Sequence, residues 1–214
     1  AGRRMAHRCI CALEDAGFSV NQSLIDMYVD YSATRGLGGD AISVNYTDWS
    51  LPEPPVEKYT DDLMNEAKSF SDTALVVISR SGGEGQDEPQ DMKAVIDGTY
   101  NTAEEDADGH ENYTYLASSY NNNSSSYDDF DEGEHYLELS NTEEDMINLV
   151  TSEFRNVIVV INANNTMELG WVNDYDSIKA VLLVPGTGAT GMEALGEVLN
   201  GTVNPSGRTA DTFV

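Results

Sequence analysis

The chain has 214 residues and a mass of 23.3 kDa, enough for one sizeable α/β domain around a single core. Its 38 acidic residues against 11 basic ones leave a formal charge of −27, which repels phosphate backbones and anionic headgroups and so argues against nucleic-acid and membrane-surface partners. Neutral or cationic partners remain, beside the plainer reading of a surface tuned for solubility or salt.

In chain order, Arg3 to Ala16 places Met5, Cys9, Ala12 and Leu13 at helical spacing and stops at Gly17. Cys9 and Cys11, two residues apart on that helix, point to different faces, so neither a disulfide framework nor a zinc set follows from them. A second helix is expected from Ser23 to Ser32. Thr34 to Tyr59 is interrupted by "TRGLGGD" and "WSLPEPPVEKY" and reads as a long connection with one short strand at Ile42 to Tyr46. Thr60, followed by Asp61 and Asp62, is an N-cap for a helix through Ser69, and Ala74 to Ser79 is an apolar run typical of a strand covered on both faces. From Asp91 to Gly133 the composition turns to Asn, Ser, Asp, Glu, Tyr and Gly, which predicts an exposed low-complexity insertion.

Regular patterning returns at "YLELSNTEEDMINLVTSEF", where Ser140 and Glu143 fit a capping box and Met146, Leu149, Val150 and Phe154 form an apolar stripe. "NVIVVIN", "NTMELGWVND", "IKAVLLVPG" and a last helix carrying Met192, Leu195, Val198 and Leu199 follow. Apolar strands alternating with amphipathic helices predict an α/β three-layer sandwich, a mostly parallel sheet with helices on both faces. One domain spans 1–214, with helices and a connection in 1–58 and the insertion at 91–133. No run reaches the ~18 apolar residues of a membrane span, and the first residues lack the long apolar centre of a signal peptide. The start inside a helix, without methionine, predicts an excised piece of a larger protein, for which location is left open.

Ligands in such sheets gather at the C-terminal ends of the strands, and each apolar run here passes into a polar or glycine-rich segment: "SRSGGEG", "NANN" and "PGTGATG". In the first, Glu84 stands between glycines. Such a loop brings its backbone close to a ligand and holds one carboxyl outward, as general acid or base work requires, but an ordinary exposed turn has the same composition. It is no phosphate loop, because no Gly-Lys-Ser/Thr follows and Glu84, Asp87 and Glu88 repel phosphate. "PGTGATG" has dinucleotide-loop spacing, yet "NPSGRT" arrives where the second strand and its ribose-binding acid belong, so no cofactor is expected. His7, His110 and His135 sit in unrelated contexts and read as solvated surface histidines, with no metal expected. Ser81 and Ser206 lack the setting of a hydrolase serine.

Several stretches match one family in the right order. "YTDDLMNEAKSFSDTALVVISRSGGEGQD", "YLELSNTEEDMINLV" and "NVIVVINANNTMELGWVNDYDSIKAVLLVPGTGATGMEALGEVLNGTVNPSGRTADTF" resemble the α/β sandwich domain of family 3 glycoside hydrolases, the β-glucosidase and β-xylosidase family. The last stretch is the most specific, and the first 58 residues match loosely. The resemblance implies an active site shared between two domains: a (β/α)₈ barrel supplies an aspartate nucleophile, and the sandwich supplies a glutamate acid/base on a loop over the sugar. That loop resembles "SGEGYDR" in bacterial members, which puts the acid/base at Glu84, with Arg80, Ser81, Gln86 and Asp87 around the substrate and Arg80, Ser81 and Asp87 shaping or orienting the loop. Gln86 and Glu88 replace the usual aromatic residue and arginine around a retained Asp87. The implied function is retaining hydrolysis of terminal β-linked glucose, inactive here without the barrel; the rival is a non-catalytic sugar-binding or structural module. Glu104, Glu105 and Glu111 are alternative acids within the insertion.

Overall fold

The computed structural model describes residues 3–34, 49, 51, 53–80, 82, 88–100, 129–188, 190–210 and 213. The apolar runs become three parallel strands, β1 (Thr73–Ser79), β2 (Asn156–Asn162) and β3 (Ile178–Leu183), in the order β1-β2-β3. β1 and β2 pair without a break from Thr73↔Asn156 to Ser79↔Asn162, so both end at one level. β3 joins with one irregularity at Val157/Ile158, after which Ile161 lies beside Leu183. The helices are α1 (Arg3–Asp15), α2 (Gln22–Thr34), α3 (Asp61–Phe70), α4 (Met92–Ile96), α5 (Asn141–Glu153) and α6 (Glu193–Leu199).

Side chains alternate along a strand, which divides the core in two. Val157, Val159 and Ile161 of β2 and Val76 and Ile78 of β1 pack on one face with Met64 and Ala67 of α3 and Met146, Ile147 and Val150 of α5. On the other face Val160 meets Ala12 of α1 and Leu195 of α6. Full burial of each aliphatic side chain is worth ~1.5–3 kcal/mol, so the central strand is apolar on both sides for a thermodynamic reason. The three-layer α/β arrangement expected from the alternation of elements is the one present.

Local signals act as expected where the side chain itself makes the bond. Thr60 accepts from Leu63 N at the start of α3. Ser140 accepts from Glu143 N while the Glu143 carboxylate takes Ser140 N at 3.0 Å, a complete capping box for α5.

The exposed insertion expected from Asp91 is corrected at both ends. Residues Met92–Ile96 form α4, and Met92, Val95 and Phe130 join Trp49, Leu51 and Tyr136 in a third cluster. The few apolar residues at helical spacing were diluted by the polar composition around them. Residues 101–128, and the strand expected at Ile42 to Tyr46, lie outside the described residues. No helix among the described residues is long and apolar enough to cross a membrane.

Candidate active site

The three strands deliver their C-terminal loops to one edge of the sheet, and the asparagines after β2 tie those loops together. The ladder runs one step past the strands, with Arg80 N donating to Asn162 O at 3.2 Å and Val184 N to Ile161 O at 2.8 Å. Asn162 Nδ2 donates to Val184 O at 2.8 Å. Asn164 Oδ1 accepts from Gly186 N at 2.6 Å. On the other side Asn165 Nδ2 donates to Glu88. Two glycines are needed for this closeness: a Cβ at Gly82 would lie 2.8 Å from Asn165 Nδ2 and 2.9 Å from Glu88 Oε1, and one at Gly186 would lie 3.0 Å from Asn164 Oδ1.

Arg80 carries β1 into the glutamate loop. Its side chain turns inward: Nε donates to Tyr136 O at 2.7 Å, Nη1 to Ser79 O at 2.9 Å and Glu143 Oε1 at 2.8 Å, and Nη2 to Glu138 O at 2.5 Å and Glu143 Oε2 at 2.6 Å. A guanidinium has five N–H donors, and each one here faces a protein acceptor. The Tyr136 ring lies against it, 5.5 Å from Cζ to centroid. A buried charge persists only when paired and fully hydrogen-bonded. Arg80 thus anchors the end of β1 from which the loop departs, in keeping with the loop-shaping part expected of it, and its guanidinium is spent on protein acceptors.

The chain is therefore held on both sides of residues 83–87, by Arg80 before them and by Glu88 against Asn165 after them. Glu84, Ser81, Gln86 and Asp87 lie outside the described residues, as do Glu104, Glu105 and Glu111. The pattern of the sequence pointed to the loop but missed its supports. Glu143 was visible only as a helix cap, and the asparagines of "NANN" only as polar residues at a strand end.

Other titratable groups are built into the frame. Tyr28 and Tyr59 share Glu53: the Tyr28 hydroxyl lies 3.1 and 3.2 Å from its two oxygens and 2.5 Å from the Tyr59 hydroxyl, which donates to Oε1. Burial, with the negative charge of Glu53 beside it, pushes both phenols well above their ordinary range. The Glu144 carboxyl is also raised, by partial burial and by the surrounding Glu134, Asp145, Asp131 and Glu138. His135, expected on the surface alone, is instead half-buried and placed against Glu168 and Glu138; these three are the one group among the described residues with the spacing to hold a metal ion. A shallow groove of about 620 Å³ lies between Glu153–Arg155 and Asp174–Ser177. It sits at the starts of β2 and β3, the opposite end of the sheet from the glutamate loop.

The sequence profile of the glycosyl hydrolase family 3 C-terminal domain matches residues 29–214. Beta-glucosidase A of Butyrivibrio fibrisolvens is 32% identical over 153 residues, covering 72% of this chain and 16% of that protein. A beta-glucosidase of Ruminococcus albus is 26% identical over 207 residues, covering 94% of this chain and again 16% of the relative. Among solved structures, a beta-glucosidase from Paenibacillus barengoltzii shares the fold with a TM-score of 0.57 at 23% identity, over 86% of this chain and 15% of that one. The chain thus spans 16% of the length of each of these two relatives.

Proposed function

The chain belongs to glycosyl hydrolase family 3 as its C-terminal domain, and from that premise we propose that it is the acid/base-bearing domain of a retaining β-glycosidase. The activity is that of a β-glucosidase releasing terminal β-linked glucose from oligosaccharides, and Glu84 is the general acid/base. The observation that carries this reading is the two-footed anchoring of the loop at the C-terminal edge of a parallel sheet, where open α/β folds bind ligands. General acid catalysis needs a carboxyl held within hydrogen-bond reach of the glycosidic oxygen, and a loop fixed at Arg80 and Glu88 limits where Glu84 can travel.

In the retaining mechanism Glu84 protonates the leaving oxygen while a second carboxylate attacks the anomeric carbon. Glu84 then takes a proton from the water that releases the sugar, with the two carboxyls ~5–5.5 Å apart. The nucleophile is an aspartate of a (β/α)₈ barrel domain, in keeping with a chain that spans 16% of its relatives. Ser81, Gln86 and Asp87 are the substrate-binding residues of this reading, and Arg80 anchors the strand end from which the loop departs. No cofactor takes part.

The test is Glu84→Gln in the complete enzyme. Turnover of glucosides with poor leaving groups falls ~10²–10⁴-fold, while substrates whose leaving group needs no proton are spared in the first step. Equal loss with both kinds of substrate overturns the assignment. The second reading, a non-catalytic module, draws on Gln86 and Glu88 standing where an aromatic residue and an arginine are usual; unaltered turnover in Glu84→Gln would favour it.

A further inference from the structure

We propose that His135, Glu138 and Glu168 form a binding site for one divalent cation of the zinc class, separate from the glutamate loop. His135 and Glu138 stand on the turn before α5, and Glu168 stands on the segment after β2. The backbone brings them together: Glu168 N donates to Leu137 O at 3.2 Å. Tyr136 and Met167, their immediate neighbours, are 1% and 0% exposed, so both segments are rooted in the core while the three ligand side chains point outward. The His135 Nε2 lies 3.1 Å from Glu168 Oε1 and its Nδ1 lies 3.7 Å from Glu138 Oε2. One ligand atom from each residue falls within 4.8 Å of the other two.

Tetrahedral zinc with bonds of ~2.0–2.1 Å sets its ligand atoms ~3.3 Å apart. The His135–Glu168 edge is already near that value, and glutamate torsions suffice to close the rest. One imidazole nitrogen with two carboxylate oxygens suits zinc and its neighbours better than magnesium or calcium, which prefer oxygen alone. Coordination through Nε2 puts the ring proton on Nδ1, so the ion must displace the present contact in which Leu137 N donates to Nδ1 at 3.3 Å. Two carboxylates beside a neutral imidazole leave negative charge at the site, and Asp131, Glu134 and Glu144 crowd the same corner. The ion would fasten the 135–138 turn to the segment after β2, and that turn gives Arg80 the carbonyls of Tyr136 and Glu138. The site stands independently of the glycosidase reading.

Calorimetric titration of the intact, chelator-treated protein with zinc chloride, at physiological salt and with excess magnesium, tests the site. The wild type is expected to bind one zinc ion more per chain than His135→Gln or Glu168→Gln, or to bind it roughly tenfold or more tightly. Glu132→Gln, an acidic change outside the set, is expected to leave binding unchanged, which separates a site from diffuse attraction to an acidic surface. Melting in chelator shows that the variants fold, and zinc is expected to raise the melting temperature of the wild type alone. Equal zinc binding by wild type and both variants, or no saturable binding above magnesium, overturns the proposal.

Discussion

Arg80 and Glu143, 63 residues apart in the chain, form a bidentate ion pair whose side chains are 1% and 4% exposed. One residue ends a strand and the other caps a helix, so the pair fastens the glutamate loop to α5 through a buried contact. Glu143 serves two donors at once, the guanidinium and Ser140 N.

Removing one partner leaves a buried charge unpaired. Arg80→Leu is expected to destabilise the protein by ~3–5 kcal/mol, read as a lower urea midpoint. Glu143→Gln retains one acceptor but leaves the buried guanidinium without its countercharge, and is expected to cost ~3–5 kcal/mol as well. A loss under ~1 kcal/mol for Arg80→Leu would contradict the buried pairing.

Two glycine substitutions should separate stability from loop placement. At Gly196 an added Cβ would lie 2.4 Å from Ala12 O and 2.7 Å from Ala16 Cβ, so Gly196→Ala must push α6 from α1 and costs ~1–3 kcal/mol. At Gly82 the new methyl meets only the ends of the Asn165 and Glu88 side chains, which can turn away. Gly82→Ala is expected to lower kcat in the complete enzyme with a smaller shift in melting temperature than Gly196→Ala.

Alkaline stability should depend on the phenol pair. The folded pKa of Tyr59 lies above its unfolded value of 10.0, so the stabilisation is complete below pH 10 and is lost as pH rises from there through the folded value. Tyr59→Phe removes the Tyr59 share of this dependence while losing the hydrogen bond to Glu53. Ultraviolet titration should show both phenols ionising later than exposed tyrosines, together with unfolding. Ionisation of Tyr59 at the ordinary pH without unfolding would contradict its buried bond to Glu53.

The raised carboxyl of Glu144 has the opposite consequence at neutral pH. Its folded pKa exceeds the unfolded value of 4.5, so folding is favoured below that pH and the advantage is lost as pH rises through the folded value. Glu144→Gln is therefore expected to raise the melting temperature slightly at pH 7, less in high salt, and not at pH 3. Thermal scans at the two pH values check the sign.

Local signals were legible where one side chain decides the outcome, as with Thr60 and Ser140 at helix starts. The loop carrying Glu84 was legible too, because a strand running into glycines is a local pattern. What escaped were contacts across the chain. Met92 and Phe130 were read as parts of an exposed segment because their core partners Trp49, Leu51 and Tyr136 lie elsewhere in the sequence. That Arg80 shapes the loop was legible, but its partner was not, since nothing adjacent to Arg80 announced Glu143.

By itself, the sequence determined that this chain forms alternating strands and helices, that its strand ends carry polar loops, and that one loop presents a glutamate among glycines. Those properties follow from hydrophobic periodicity and backbone freedom, which act over a few residues. Only the tertiary structure decided that Arg80 turns inward to Glu143, that Asn164 and Asn165 tie the neighbouring loops, and that His135 meets Glu168. Each of these depends on which segments the packed core brings within hydrogen-bond reach of one another, about 3 Å, beyond which such bonds weaken steeply.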